Sequence, residues 1–231
     1  GATLEDVVEV DGAQPPARVR KLLAEVAGAL EEAHGIELIH RDIKPTNIIV
    51  CTQGGKPDVA KLVDFGLVKE IAAVDDVKLT KESSVTGTPL YMSPEALTSP
   101  DSVDARSDLY ALGAVGYFLL TGRHVFEGNT VIEVCGHHMH AEPVPPSKRL
   151  GEQLPESLEA LILRCLEKKP EDRPQSAAEL LGALEACADV GRWSEEDGRR
   201  WWQEQGDAMK DLRARDAGTS TTRTIAVALA R

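Results

Sequence analysis

No run of apolar residues in this chain approaches the roughly 18 that a membrane span requires, and no secretory leader is visible at its start. The four cysteines, Cys51, Cys135, Cys165 and Cys187, are scattered and form no C-x-x-C pair. That argues against a zinc site and reads as reduced, buried thiols in an intracellular, cytoplasmic protein. Basic residues are also short: 26 Lys and Arg stand against 38 Asp and Glu, for a net charge of -12. A surface of that sign argues against nucleic acid or an anionic membrane as the main partner, because both select basic surface. The deficit is uneven. From Val190 onward there are 8 basic and 7 acidic residues, which leaves 18 and 31 in the body before it. That body suits a basic or neutral protein partner, although solubility explains the charge about as well. Gly1 rather than Met opens the chain, so the expectation is that an upstream segment has been lost.

What is present is the mix of a soluble globular chain, 42% hydrophobic and 28% charged over 231 residues, enough for one domain and a short appendage. Gly1 to Val10 reads as a short helix closed by Asp11-Gly12. Pro15-Pro16 opens a longer one, with Val19, Leu22, Leu23, Val26, Ala27 and Leu30 at helical spacing. Ile48 to Val50 and Val59 to Val63 read as two strands of a small hairpin around the turn Gln53 to Pro57. Arg106 to Leu120 is apolar almost all round, the mark of a helix central to a domain. A helix over Asn129 to His140, a Pro-rich connector from Pro143 to Pro155, and two helices striped by Leu158 to Leu166 and Ala177 to Leu184 complete a mainly α body. After Asp189 the composition shifts. Trp193, Trp201 and Trp202 fall in a polar helix ending near Leu212, followed by a Ser/Thr/Arg linker. The expected organisation is a domain over 1–189 and an appended segment over 190–231, with no internal repeat.

The chemistry concentrates in His40-Arg41-Asp42-Ile43-Lys44-Pro45-Thr46-Asn47, followed by three apolar residues. Asp64-Phe65-Gly66 lies seventeen residues after Asn47, at the end of the second strand. Gly87-Thr88-Pro89-Leu90-Tyr91-Met92-Ser93-Pro94-Glu95 follows a stretch without any period. The three together resemble the catalytic loop, the D-F-G magnesium motif and the end of the activation segment of serine/threonine protein kinases of the bacterial branch. The fold this implies is a mainly α, protein-kinase-like carboxyl-terminal lobe with a small β-hairpin at the cleft.

The resemblance implies ATP and Mg²⁺ as cofactors and Ser/Thr hydroxyls of proteins as acceptors. Asp42 would orient the hydroxyl as base, Lys44 would neutralise charge on the moving phosphoryl group, and Asn47 and Asp64 would bind magnesium. Carboxylate and amide oxygens suit that hard cation. Thr88 would contact Asp42 and Lys44. Glu95 would pair with Arg173 of Lys169-Pro170-Glu171-Asp172-Arg173-Pro174, and Asp108 would brace the catalytic-loop backbone, in which His40 and Arg41 count as structural residues. Packing of Phe65 would set active and inactive states, with Gly66 beside it as a structural residue. Ser93 stands where the family usually has Ala, a mild change, and Tyr110 where it usually has Trp, as in many bacterial members of the family.

Thr80, Ser83, Ser84 and Thr86 lie between the two later motifs. Phosphate there would add strong acceptor oxygens and about -1.5 to -2 charge, and Arg41 is the residue that would pair with it. Autophosphorylation is the expectation, with dimerisation as a route to it; solvation of a mobile loop is the alternative. Cys135, His137, His138 and His140 suggest a metal only weakly, for want of a second cluster. The tryptophans read as folding back onto the domain more readily than as a docking face.

No G-x-G-x-x-G and no V-A-I-K occurs in the 231 residues. The resemblance therefore covers Gly1 to about Asp189 and lacks the amino-terminal lobe that grips the adenine and half of the phosphates. The leading expectation is an ATP-dependent kinase seen without that lobe and inactive alone. A non-catalytic scaffold or docking module is the alternative, and a small-molecule kinase is disfavoured by the complete G-T-x-x-Y-x-x-P-E element.

Overall fold

The computed structural model describes residues 1–65 and 88–228, apart from the side chains at 88 and 216–228. The chain opens with a two-residue strand, β1 (Ala2–Thr3), rather than with a helix from its first residue. Thr3 then caps α1 (Leu4–Asp11) in a reciprocal box: its hydroxyl accepts the Asp6 amide at 3.1 Å, and Asp6 Oδ2 accepts the Thr3 amide at 2.8 Å. Pro16 at the first position of α2 (Pro16–Gly35) starts that helix without wasting a donor.

Lys44 leads into a 3-10 turn (Pro45–Asn47), then β2 (Ile48–Gln53) and β3 (Lys56–Leu62). The hairpin gains a third member, because β1 pairs antiparallel with β2 through Ala2↔Val50 and Thr3↔Ile49. The turn is tighter than the sequence suggests: Gly54 and Gly55 both take positive φ, and Lys56 and Pro57 already belong to β3.

Past a second 3-10 turn (Thr88–Tyr91) come α3 (Pro94–Thr98) and α4 (Ala105–Thr121). Asp104 caps α4 by accepting the Arg106 amide at 2.8 Å, and left-handed Gly122 ends it. Every residue from Ser107 to Thr121 is buried, as its all-round apolar pattern requires. α5 (Val131–His140) starts from a Thr130 cap. The Pro-rich connector holds a short helix, α6 (Pro146–Leu150), since Pro146 suits a first helical position and Gly151 a left-handed stop.

α7 (Glu156–Cys165) and α8 (Ala177–Glu185) pack with α2 around α4 in one hydrophobic core. Gly113 and Gly116 let α4 meet its neighbours closely: a Cβ on Gly113 would lie 2.5 Å from Cys165 Cβ. The final helix, α9 (Glu195–Ala228), does not stop near Leu212 and leaves no linker before Ala228. Extending a formed helix costs little, and no proline interrupts this one. Among the described residues no helix is long and apolar enough to cross a membrane.

Candidate active site

The turn that follows α2 carries His40 to Asn47, and one carboxylate from α4 holds it. Asp108 is buried; its Oδ2 accepts the His40 amide and its Oδ1 the Arg41 amide, both at 2.8 Å. Arg41 sits at φ 64, a left-handed conformation that an L-residue rarely adopts without support. His34, at the end of α2, brings Nε2 to 2.9 Å from Asp108 Oδ2. Sequence reasoning overlooked His34, whose place in the last turn of a helix just before the loop was its one available signal.

Within the loop, Asp42 Oδ2 is the common point. Lys44 Nζ lies 2.7 Å from it and Asn47 Nδ2 2.9 Å, and the same Asn47 amide donates to the Asp42 carbonyl at 2.8 Å. Two donors meet on this one oxygen, and among the described residues Asp42 Oδ1 remains as an acceptor. Asn47 is buried, while Asp42 and Lys44 stay about one-fifth exposed and reachable.

Asp64 is tied to this loop through its neighbours. The Val63 amide donates to the Asn47 carbonyl at 2.9 Å, and the Val63 carbonyl meets His40 Nε2 at 3.0 Å. The Phe65 ring tilts against the His40 ring with centroids 4.8 Å apart. Asp64 itself is exposed at φ 56. A divalent cation fits these residues by donor type. Asn47 spends its amide hydrogens on Asp42, so its Oδ1 remains to ligate, and Asp64 adds carboxylate oxygens. Two hard oxygen donors are what Mg²⁺ takes from a protein when phosphates and water complete its shell. Among the described residues no group of three His, Cys, Asp or Glu forms a metal cage. Gly66 and the hydroxyls of Thr80, Ser83, Ser84 and Thr86 lie outside the described residues. Thr88 begins the 3-10 turn ahead of α3, and its side chain is likewise not described.

Beyond the loop, Glu95 in α3 and Arg173 form a two-pronged pair, Nη1 to Oε1 at 2.7 Å and Nη2 to Oε2 at 2.8 Å. Arg173 is fully buried and also donates to the carbonyls of Arg106, Glu167 and Lys168. Burial works against ionisation of Glu95, but hydrogen bonds from Arg173 and from Ser107, at 2.5 Å, outweigh it and lower its pKa. Ser93 caps α3 through the Ala96 amide at 3.4 Å, a use that alanine would not offer.

His138 is fully buried, with Nδ1 2.8 Å from the Tyr110 hydroxyl, rather than gathered with His137, His140 and Cys135 about an ion. Burial, helped by nearby Lys168, lowers its pKa to about 4.

The protein kinase domain family matches residues 1–183 of the chain. The serine/threonine-protein kinase PknB of Mycobacterium leprae is 42% identical over 184 residues, 80% of this chain and 28% of that protein. The serine/threonine-protein kinase pkn3 of Myxococcus xanthus is 39% identical over 188 residues, 80% of this chain and 34% of that protein. The chain thus spans about a third or less of the length of these relatives. Among solved structures, Rad53 1-466 in complex with AMP-PNP superposes with a TM-score of 0.61 at 26% identity, covering 78% of this chain and 43% of that one.

Proposed function

Since the chain belongs to the protein kinase family, we propose that it carries the phosphotransfer lobe of an ATP-dependent serine/threonine kinase acting on protein hydroxyls. The observation that supports this most is the Asp42 carboxylate, held on one oxygen by Lys44 and Asn47 and, among the described residues, open on the other. The open oxygen would accept the hydrogen bond of an incoming Ser or Thr hydroxyl and take its proton as the new O–P bond forms, while the bond from the γ-phosphorus to the β–γ bridging oxygen breaks and ADP leaves. Lys44 offers positive charge beside that oxygen, where the transferring group passes. Mg²⁺, held by Asn47 Oδ1 and Asp64, would neutralise the terminal phosphates of ATP. Asp108 keeps the loop in the conformation that presents these groups.

Finer parts of the reading follow the same line. Thr88 steadies Asp42 and Lys44 from the substrate side, and Phe65 with Gly66 governs whether Asp64 faces the cleft. The exposed Arg41 side chain receives a phosphate on Thr80, Ser83, Ser84 or Thr86, added by a second kinase molecule in trans. The 231 residues contain neither a glycine-rich loop nor a V-A-I-K lysine, so on their own they transfer phosphate negligibly.

The test is phosphate transfer from labelled ATP to a basic Ser/Thr peptide. The chain should be compared with and without the lobe that binds the adenine, and with Asp42→Asn in each. Transfer restored by that lobe and lowered roughly 10³-fold or more by Asp42→Asn supports the reading. No transfer in any combination, with the fold intact, favours the docking module instead.

A further inference from the structure

The Arg18–Asp58 ion pair lies away from the catalytic loop and is buried on both sides, with relative exposures of 0% for each residue. Arg18 Nε and Nη2 donate to Asp58 Oδ2 and Oδ1 at 2.8 and 2.9 Å, and Nη1 donates to Gln14 Oε1 at 2.6 Å. Asp58 adopts φ 56, an uncommon state for a residue with a side chain. A buried pair is costly unless further hydrogen bonds complete it. Here they come from the far end of the chain: Trp193 Nε1 donates to Asp58 Oδ2 at 2.9 Å and Trp202 Nε1 to Oδ1 at 2.7 Å. Each Asp58 oxygen therefore accepts one guanidinium and one indole hydrogen.

Trp201 lies under the Arg18 guanidinium, 3.8 Å from carbon to ring centroid, and gives its own Nε1 hydrogen to Asp11 at 2.7 Å. Gly198 allows the contact. A Cβ there would come within 3.1 Å of Pro57 and 3.5 Å of Asp58. Arg213 reaches back to the Gly1 carbonyl, and Trp201 and Met209 pack on Ala2 and Val7.

This seat is not at the active site, but the elements it joins run there. β3 leads from Asp58 to Val63, whose amide and carbonyl hold Asn47 and His40, and then to Asp64. α2 leads from Arg18 to His34, which meets Asp108. Resting on the kinase reading above, we infer that Trp193 to Leu212 is a clasp, and that Trp193 and Trp202 are positioning residues which fix Asp64 through Asp58 and β3. The appended segment is thereby part of the catalytic lobe.

Nature placed every tryptophan of the chain in this segment, so indole emission reports the clasp alone. The test pairs Trp193→Phe/Trp202→Phe, which keeps aromatic bulk but removes both indole donors to Asp58, with Trp201→Phe, which removes the Asp11 bond and leaves every donor to Asp58 in place. Hydrogen exchange is read on the whole 231-residue chain, without nucleotide. The double variant is expected to raise exchange of the Val59 to Val63 amides roughly 10-fold while α4 and α7 stay protected, and Trp201→Phe to raise it far less. Faster exchange confined to 193–212, with Val59 to Val63 unchanged, overturns the inference. So does faster exchange everywhere, since that is plain loss of stability.

A second readout uses a preparation active for phosphate transfer. The double variant should raise KM for Mg-ATP about 5-fold with the peptide KM unchanged, because Asp64 serves the nucleotide side alone. A fall in kcat with both KM values unchanged overturns the link to Asp64. Should the wild type transfer nothing even together with the lobe that binds the adenine, the proposed kinase function fails, while the exchange measurement still decides the clasp.

Discussion

Asp108, buried at the start of α4, accepts the Arg41 amide at 2.8 Å and so holds Arg41 at φ 64 immediately before Asp42. The same carboxylate takes the His40 amide and meets His34. Three contacts on two oxygens need both to be acceptors. Asp108→Asn would turn an NH₂ group toward one of them and leave a buried amide unpaired, at a cost of about 2 kcal/mol. Urea unfolding measures that loss. Relaxation of Arg41 would also displace Asp42, so phosphate transfer should fall further than the unfolded fraction explains; transfer in proportion to folded protein would refute the bracing role.

Glu95 and Arg173 make the second testable joint. Arg173 is fully buried, and besides Glu95 it satisfies three backbone carbonyls. Glu95→Gln leaves its positive charge without a counter-ion, and Arg173→Met strands both the carboxylate and those carbonyls. Each should cost about 3 kcal/mol in denaturant unfolding. Because both changes break one network, the double variant should lose clearly less than the sum of the two. Additive losses would show that the pair is not coupled.

The candidate catalytic groups were legible in the sequence because the proposed phosphoryl transfer needs particular residue types at short, fixed spacing. His40 to Asn47 is one turn of chain, and Asp64 follows a hairpin whose register is set by its own apolar pattern. The long-range joints were less visible. Nothing local in Pro57-Asp58-Val59 says that Asp58 is buried, because its partners Arg18, Trp193 and Trp202 lie 40, 135 and 144 residues away. Likewise β1 is two residues long and becomes a strand only because Ile49 and Val50 offer it an edge. The prediction of a helix end near Leu212 relied on a weak propensity signal, which continuation of an existing helix overrides.

Packing around α4 supplies a prediction independent of the chemistry. A methyl group at Gly113 would stand 2.5 Å from Cys165 Cβ and 3.4 Å from the Ile162 carbonyl, on a helix buried all round. Neither neighbour is the flexible end of a long side chain, so α7 must move. Gly113→Ala should therefore destabilise by about 2 kcal/mol or more despite its better helix propensity. At Gly28, where no atom of the described residues lies within 4 Å of the added carbon, the same change should stabilise slightly. Thermal unfolding of the two variants compares these signs directly.

Acid sensitivity should show two separate windows. Burial lowers the His138 pKa from 6.5 to about 4 in the folded chain. Between those values the unfolded state binds the proton and the folded state does not. Stability from this group is therefore complete above about pH 6.5 and is lost as pH falls toward 4, by about 3 kcal/mol in all. Glu95 has a folded pKa below its ordinary 4.5, so its contribution is present above that value and disappears only at lower pH. Asn in place of His138 can still meet the Tyr110 hydroxyl but cannot take a proton. Denaturant unfolding of His138→Asn should then be flatter between pH 6.5 and 4.5 than that of the wild type, with the steep loss below pH 4.5 retained. Equal slopes for the two chains across the upper window would assign the acid sensitivity to other groups.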